Sequence, residues 1–246
     1  MSLRLPQLPV DPSAPFPPGE SALRQPDGLL ALGGDLSPVR LLNAYRHGIF
    51  PWYSEGQPIL WWCPDPRTVF RTDGFRLSTR FRRTLRALPW VVRADTDFEA
   101  VIDACARSPR NGQDGTWITA EMRDAYVELH RLGHAHSIEV WDGDRLAGGL
   151  YGVSIGHMFF GESMFSADSG GSKAALAALA FRLREWGWPL IDAQVENPHL
   201  ISLGARLIRR EKFLAQVEGL TALTATAEPW TRQFGELTCA QLARTD

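Results

Sequence analysis

The apolar positions of this chain follow two spacings, one near every third or fourth residue and one at every second. The first predicts a helix over Val39–His47, with Leu41, Leu42 and Tyr45 on its buried side. Ser37 is placed to cap it, Pro38 suits the first helical position and Gly48 stops it. The same spacing predicts helices over about 78–87, 97–106, 119–132, 198–203 and 211–218. A longer helix runs from a Ser172 cap to about Trp186, with Leu176, Leu179 and Leu183 on its apolar stripe. The second spacing predicts a β-meander. Ser137–Trp141 alternates, Asp142-Gly143-Asp144 turns, Leu146–Val153 returns and Met158–Phe165 makes a third strand. Short strands are expected at Ile59–Trp62, Thr68–Phe70, Trp90–Arg93, Trp188–Val195 and, last, Arg206–Arg210. The first 20 residues hold six prolines and read as an extended arm, and Asp27-Gly28 and Gly33-Gly34-Asp35 mark turns.

Pro64 and Pro66 break the chain, which places a domain boundary near residue 65. A small N-terminal domain (1–65) and a larger one (66–246) are expected. The order in the larger part is three antiparallel strands, a helix, a strand, a helix and a strand. That order matches an acetyltransferase-like (GNAT) domain, so the fold class is α+β with a mixed, largely antiparallel sheet.

Composition changes this picture little. Cys63, Cys105 and Cys239 are far apart and form no Cys-x-x-Cys pair, so neither a disulfide framework nor a zinc knuckle is supported and a reducing compartment, the cytoplasm, is expected. Met-Ser-Leu-Arg-Leu-Pro lacks the charged-then-apolar pattern of a signal sequence, and no apolar run is long enough to span a membrane. Charge matters more. The net charge is −2, yet between residues 67 and 93 stand eight arginines (67, 71, 76, 80, 82, 83, 86 and 93) and one acid, Asp73. Such a stripe is able to neutralise phosphates, or it is a solvated face balanced elsewhere.

The residues most suggestive of chemistry are Glu162 in Gly161–Phe165 and the pair Asp192 and Gln194 in Ile191–Gln194. Strand alternation puts Asp192 and Gln194 on one face, roughly 6–7 Å apart, and puts Glu162 on a face with Phe160 and Met164. A carboxylate beside a carboxamide is able to orient a nucleophile and bind a carbonyl oxygen, or to serve only as a buried hydrogen-bonded pair. Other patterns carry less. His130, His134 and His136 are close in sequence, but Gly133 interrupts the helix between them, so no metal is expected. Gly161-Glu162-Ser163-Met164-Phe165 lacks the last glycine and the helix of a nucleophile elbow. Gly148, Gly149, Gly152 and Gly156 lie inside the meander, where no helix N-terminus meets a phosphate, and close packing or a nearby ligand explains them. Of the nine tryptophans, Trp61 and Trp62 read as core, whereas Trp52 and Trp117 sit where a ring is able to stack on a base.

Long runs of the chain resemble the leucyl/phenylalanyl-tRNA–protein transferase family. They include Asp27–Pro38, Ala44–Trp52, Trp61–Arg67, Gly115-Thr116-Trp117-Ile118, Ala135–Trp141, Gly161–Phe165, Ile191–Gln194, His199 and Ser202–Ala205, within about residues 16–214. The resemblance implies an enzyme that moves Leu or Phe from its charged tRNA to a protein beginning with Arg or Lys, without ATP, and marks that protein for degradation by the N-end rule. It implies Asp192 polarising Gln194, Gln194 assisting the attacking amine, and Glu162 in the same site; a carboxylate there is expected to attract the cationic acceptor residue. Trp52 and Trp117 would sandwich the terminal adenine. Leu150, Phe159, Met164, Leu176, Leu179, Leu183 and Ile191 would form the aminoacyl pocket, and Arg76, Arg80, Arg82, Arg83 and Arg86 would hold the tRNA backbone. No cofactor is expected, the partners are charged tRNA and the acceptor protein, and a monomer suffices.

Three positions depart from the common family pattern: Ala193 for Cys, Ala167 for Arg, and Gly171 for Ala at the helix start. The rival readings are an acyl-coenzyme A-dependent N-acyltransferase on the same fold and a non-catalytic tRNA-binding module. The pyrophosphate loop that coenzyme A requires before the helix is missing, since Ser169-Gly170-Gly171-Ser172-Lys173 stands there instead.

Overall fold

A computed structural model of the chain describes residues 5–108 and 117–244. The elements are β1 (Gln7–Leu8), β2 (Leu29–Gly33), α1 (Pro38–Arg46), β3 (Phe50–Pro51), β4 (Leu60–Trp62), β5 (Arg67–Arg71), α2 (Thr79–Ala87), β6 (Val91–Ala94), α3 (Phe98–Arg107), α4 (Ala120–Arg131), β7 (Ala135–Asp142), β8 (Arg145–Ile155), β9 (Met158–Ser166), α5 (Gly171–Glu185), β10 (Leu190–Gln194), α6 (Pro198–Ser202), β11 (Arg206–Ile208), α7 (Arg210–Thr221), α8 (Trp230–Gln233), β12 (Leu237–Thr238) and α9 (Cys239–Leu242). No described helix is long and apolar enough to cross a membrane.

Local signals set the helix starts. Ser37, Ser78, Asp97 and Thr119 each accept a hydrogen bond from a backbone N–H in the first turn of the helix that follows. The cap of α5 differs from the expected one. Ser172 lies inside the helix, and its backbone N–H donates across 2.9 Å to the hydroxyl of Ser166 at the end of β9. The strand thus caps the helix that follows it, with Gly170 turning the chain at φ +95°. Gly148 and Gly171 let β8 and α5 touch backbone to backbone. A Cβ on Gly171 would sit 2.2 Å from the Ala147 carbonyl oxygen, which explains glycine there.

Residues 7–62 form a four-stranded sheet in the order β1-β2-β4-β3, and residues 67–238 an eight-stranded sheet in the order β11-β5-β10-β9-β8-β7-β6-β12. One face of the larger sheet packs against α3, α4, α7 and the small sheet, in a core that includes Tyr45, Trp61, Val101, Tyr126, Tyr151 and Phe213. The other face packs against α5, α2 and the C-terminal segment, around Leu85, Ile138, Leu179, Trp230 and Phe234. The strand at 206–208 is not the last, because β12 pairs with β6 and closes that edge. The proline-rich arm is also less free than expected, since β1 adds to β2 as a parallel strand.

In the larger sheet every neighbouring pair runs antiparallel except β9 and β10. That parallel pair is joined only over Met158–Phe160 and Leu190–Asp192. Beyond it β9 continues with β8 and β10 with β5, so the sheet splits.

Candidate active site

Two bulges face each other across this split. On β9, Gly161 pairs with Gly152 and Ser163 with Tyr151, which leaves Glu162 as the extra residue. On β10, Asp192 pairs with Val69 and Gln194 with Thr68, which leaves Ala193 extra. A bulge re-aims side chains and breaks simple alternation. Glu162 therefore keeps the face of Phe160, among Tyr45 and Tyr126, whereas Met164 is turned to the face packed against α5. Gln194 has φ +62°, a left-handed conformation that a non-glycine residue adopts only where its surroundings hold it.

The two bulged segments bind each other. The Gln194 carboxamide Nε2 donates to Glu162 Oε1 across 2.7 Å. Glu162 Oε1 also lies 2.7 Å from the Tyr45 hydroxyl and Oε2 lies 3.0 Å from that of Tyr126, while the two hydroxyls are bonded to each other. With its N–H engaged by Glu162, Gln194 has its Oε1 left to accept from a substrate. Burial pushes the Glu162 carboxyl up to about 8, against the tyrosine bonds that favour the charged form. Burial and the nearby Glu162 charge push both phenols well above their ordinary value.

Asp192 is not beside the Gln194 carboxamide. Its Oδ1 accepts from the Gln194 backbone N–H at 2.9 Å, and the slip in register at Ala193 is why the expected side-by-side pair does not form. Its carboxylate is gripped by Arg67, Nε to Oδ1 at 2.8 Å and Nη2 to Oδ2 at 2.6 Å, with both side chains fully buried. Arg67 is in turn sandwiched between the rings of Phe50 and Phe213, 4.7 and 4.5 Å from their centroids. Arg67 is thus not part of a phosphate-facing stripe.

A pocket of about 740 Å³ opens at the split. On one side stand Trp52, Trp117 and Glu162, and on the other Leu150, Phe159, Met164, Leu176, Leu179 and Ile191. Gln194 and the inner edge of Asp192 lie between, and Asn197, His199 and Leu200 form a rim. Leu183 does not reach the pocket and is buried in the core beneath α5. Trp62 props Trp52, donating its ring N–H to the Trp52 carbonyl at 2.6 Å. Gly115 and Thr116, which precede Trp117, lie outside the described residues.

A sequence profile described as "Leucyl/phenylalanyl-tRNA protein transferase" matches residues 69–218, and one for the N-terminal domain of the same family matches residues 34–65. The "Leucyl/phenylalanyl-tRNA--protein transferase" of Xanthomonas euvesicatoria pv. vesicatoria (strain 85-10) is 72% identical over 95% of this chain and 93% of its own length. The chain belongs to the leucyl/phenylalanyl-tRNA protein transferase family. The protein of the same name from Xylella fastidiosa (strain M23) is 63% identical over 92% of this chain and 93% of its own length. A solved structure described as "The structure of L-PGS from Bacillus licheniformis" shares 13% identity and a TM-score of 0.37, over 76% of this chain and 64% of that one, a likeness too low to carry an argument. As a member of its family the protein is an aminoacyltransferase.

The transferase carries its arginine stripe unevenly. Arg76, Arg80, Arg83 and Arg86 are exposed on and before α2. Arg82 is half-buried and donates to the carbonyls of Leu77 and Ala243. Arg71 is bound by Asp73 and Arg93 by Glu236. Two of the clustered histidines are held by neighbours: His130 donates to the Ala135 carbonyl and stacks on Phe98, and His136 bonds Asp95 and stacks on Trp230. The residues around the site that sequence reasoning missed are Arg67, Tyr45 and Tyr126. Arg67 opens the short strand Arg67–Arg71, and its membership of an arginine-rich stretch hid its burial. Tyr45 looked like ordinary helix core, and nothing in the sequence singled out Tyr126.

Proposed function

We propose that the transferase moves Leu or Phe from its charged tRNA onto the α-amine of a protein beginning with Arg or Lys, with the chemistry in the split between β9 and β10. The observation that carries this reading is the pocket itself. It passes from one face of the sheet to the other, with aromatic rings on one side and an apolar chamber on the other. We take the eight-stranded sheet as acetyltransferase-like (GNAT), on the strength of its single parallel pair, which is joined through α5 and parts at the site.

In this reading the terminal adenine stacks on Trp52 and Trp117, each base–ring contact contributing about 1–3 kcal/mol. The aminoacyl side chain passes the split into the chamber of Leu150, Phe159, Met164, Leu176, Leu179 and Ile191, where its burial contributes about 1.5–3 kcal/mol. The ester carbonyl is then left in the split beside Gln194. An aminoacyl ester is already activated, so amide formation needs orientation, removal of a proton and support of the oxyanion, and no ATP. Gln194 Oε1 accepts a hydrogen bond from the incoming amine and aims its lone pair at the carbonyl; as the N–C bond forms the ester C–O bond breaks, and the ribose oxygen leaves as a hydroxyl carrying the proton the amine loses. Asp192 and Arg67 fix the backbone of Gln194. Glu162 receives the cationic side chain of the acceptor. The exposed Arg76, Arg80, Arg83 and Arg86 follow the acceptor-stem phosphates, which position the tRNA without reading its sequence, while Arg82 is spent on the Leu77 and Ala243 carbonyls. One chain supplies the whole site, so a monomer suffices. Three buried free thiols fit the reducing cytoplasm.

The test is transfer of radiolabelled Phe or Leu from its tRNA to an Arg-starting protein in the absence of ATP. Label in the protein is expected. No label, with tRNA bound, would leave only a binding module, and transfer from an acyl-coenzyme A instead would favour an ordinary N-acyltransferase.

A further inference from the structure

Three oxygen-bearing side chains from three elements close a ring at the floor of the split: Tyr45 of α1, Tyr126 of α4 and Glu162 of β9. Tyr45 meets Glu162 Oε1 at 2.7 Å, Tyr126 meets Oε2 at 3.0 Å, and the two hydroxyls meet each other. Each contact between oxygens at such a distance needs a proton within it. A phenol brings one proton. The ring therefore has three contacts and two phenolic protons, and the carboxyl of Glu162 is the member able to supply the third. If Glu162 were ionised, one contact would be a pair of opposed lone pairs. The Gln194 Nε2 bond to Glu162 Oε1 fits either state, because that oxygen keeps a lone pair when protonated.

We propose that the Tyr45–Tyr126–Glu162 ring is a proton-exchanging subsite for the acceptor's first residue: uncharged when empty, and ionised when a guanidinium or ammonium side chain fills it. The inference rests on the acceptor reading given above. On binding, the Glu162 O–H bond breaks, the proton leaves to solvent and the carboxylate pairs with the arriving cation. No other reactant is needed. An empty site of this kind avoids the cost of a buried unpaired charge. A neutral first residue offers nothing to offset ionisation, so the ring selects for cations by more than shape.

The groups that face Glu162 support an uncharged resting state. Tyr151 of β8 packs edge-on against Tyr126. The Asp192 charge on β10 opposes ionisation, and the Arg67 charge on β5, which would favour it, is already committed to Asp192. His199 of α6 lies across the pocket on its rim. Burial, the largest cause, pushes the carboxyl up to about 8.

The test is a carboxyl carbon NMR titration of the whole protein labelled at glutamate Cδ, with the Glu162 signal assigned by its loss in Glu162→Gln or, if that variant does not fold, in Glu162→Asp. The expected midpoint in the free protein is near 8. With an Arg-starting peptide bound it should fall by about 1–3 pH units, and with a citrulline-starting peptide, which has the same shape without the charge, it should not fall. A free-protein midpoint in the ordinary glutamate range would overturn the ring, as would equal midpoints with the two peptides. If no Arg-starting peptide perturbs the spectrum at saturating concentration, the acceptor reading itself fails, and the free-protein midpoint still decides whether the ring holds a proton.

Discussion

Arg67 and Asp192, 125 residues apart in the chain, form a two-bond ion pair with neither side chain exposed to solvent. The free lone pair of Asp192 goes to the backbone of Gln194, and so the carboxylate acts on the conformation of that residue and not on its carboxamide. This separates two roles that the sequence had placed together. Asp192 holds the bulge through the Gln194 backbone, and the proposed contact with substrate falls to the Gln194 carboxamide alone.

Removing one partner of the pair leaves a buried charge without compensation. Asp192→Ala should cost about 3–5 kcal/mol of stability and lower turnover. Asp192→Asn, which still accepts from Gln194, should keep more of both. Thermal unfolding and single-turnover rates on the two variants check this. Equal stability of Asp192→Ala and the parent would mean that the pair is not buried as described.

Gln194→Ala removes the proposed acceptor for the amine but leaves Trp52, Trp117 and the apolar chamber in place. Turnover should fall by about 10²-fold, the order expected when a reacting group loses its orientation, with little change in the affinity for charged tRNA. A variant that lost affinity and kept its turnover would contradict the assignment.

Much of the fold was legible. Ser37, Ser78, Asp97 and Thr119 precede helices whose apolar spacing is regular, and the meander is bounded by a clear turn at Asp142–Asp144. The bulges at Glu162 and Ala193 were not legible, because a ladder slip depends on which strands pair and not on local propensity. This is why Met164 changes face and why Asp192 and Gln194 do not stand side by side. Leu183 follows the helical stripe of Leu176 and Leu179, but it lies beyond the reach of the pocket. Trp230, which stacks on His136, sits in a helix of four residues, too short for any periodicity to announce it.

Glu162 gives the protein a pH dependence of known sign. Its folded value, about 8, lies above its ordinary 4.5, so the folded state holds a proton that the unfolded chain has released across that window. The stability it supports is full below about 4.5 and is lost as pH rises through about 8. Glu162→Gln removes this dependence. The difference in melting temperature between variant and parent should therefore move in the variant's favour from pH 5 to pH 9, and a constant difference would show that Glu162 ionises normally.

The exposed arginines make a salt-dependent prediction. Arg80→Glu combined with Arg83→Glu should weaken tRNA binding uniformly and reduce its salt slope by about one for each phosphate no longer neutralised. Arg71→Glu should change it less, since Arg71 is already bound by Asp73. Filter binding across a salt series distinguishes the two, and equal slopes would remove α2 from the RNA surface.

The most direct measurement is a crystal structure with a non-hydrolysable phenylalanyl-adenosine. The account predicts the phenyl ring among Leu150, Met164, Leu176 and Leu179, the adenine against Trp52 and Trp117, and the carbonyl between β9 and β10 within reach of Gln194. A nucleoside bound on one face of the sheet, with the split closed and Gln194 out of contact, would contradict it.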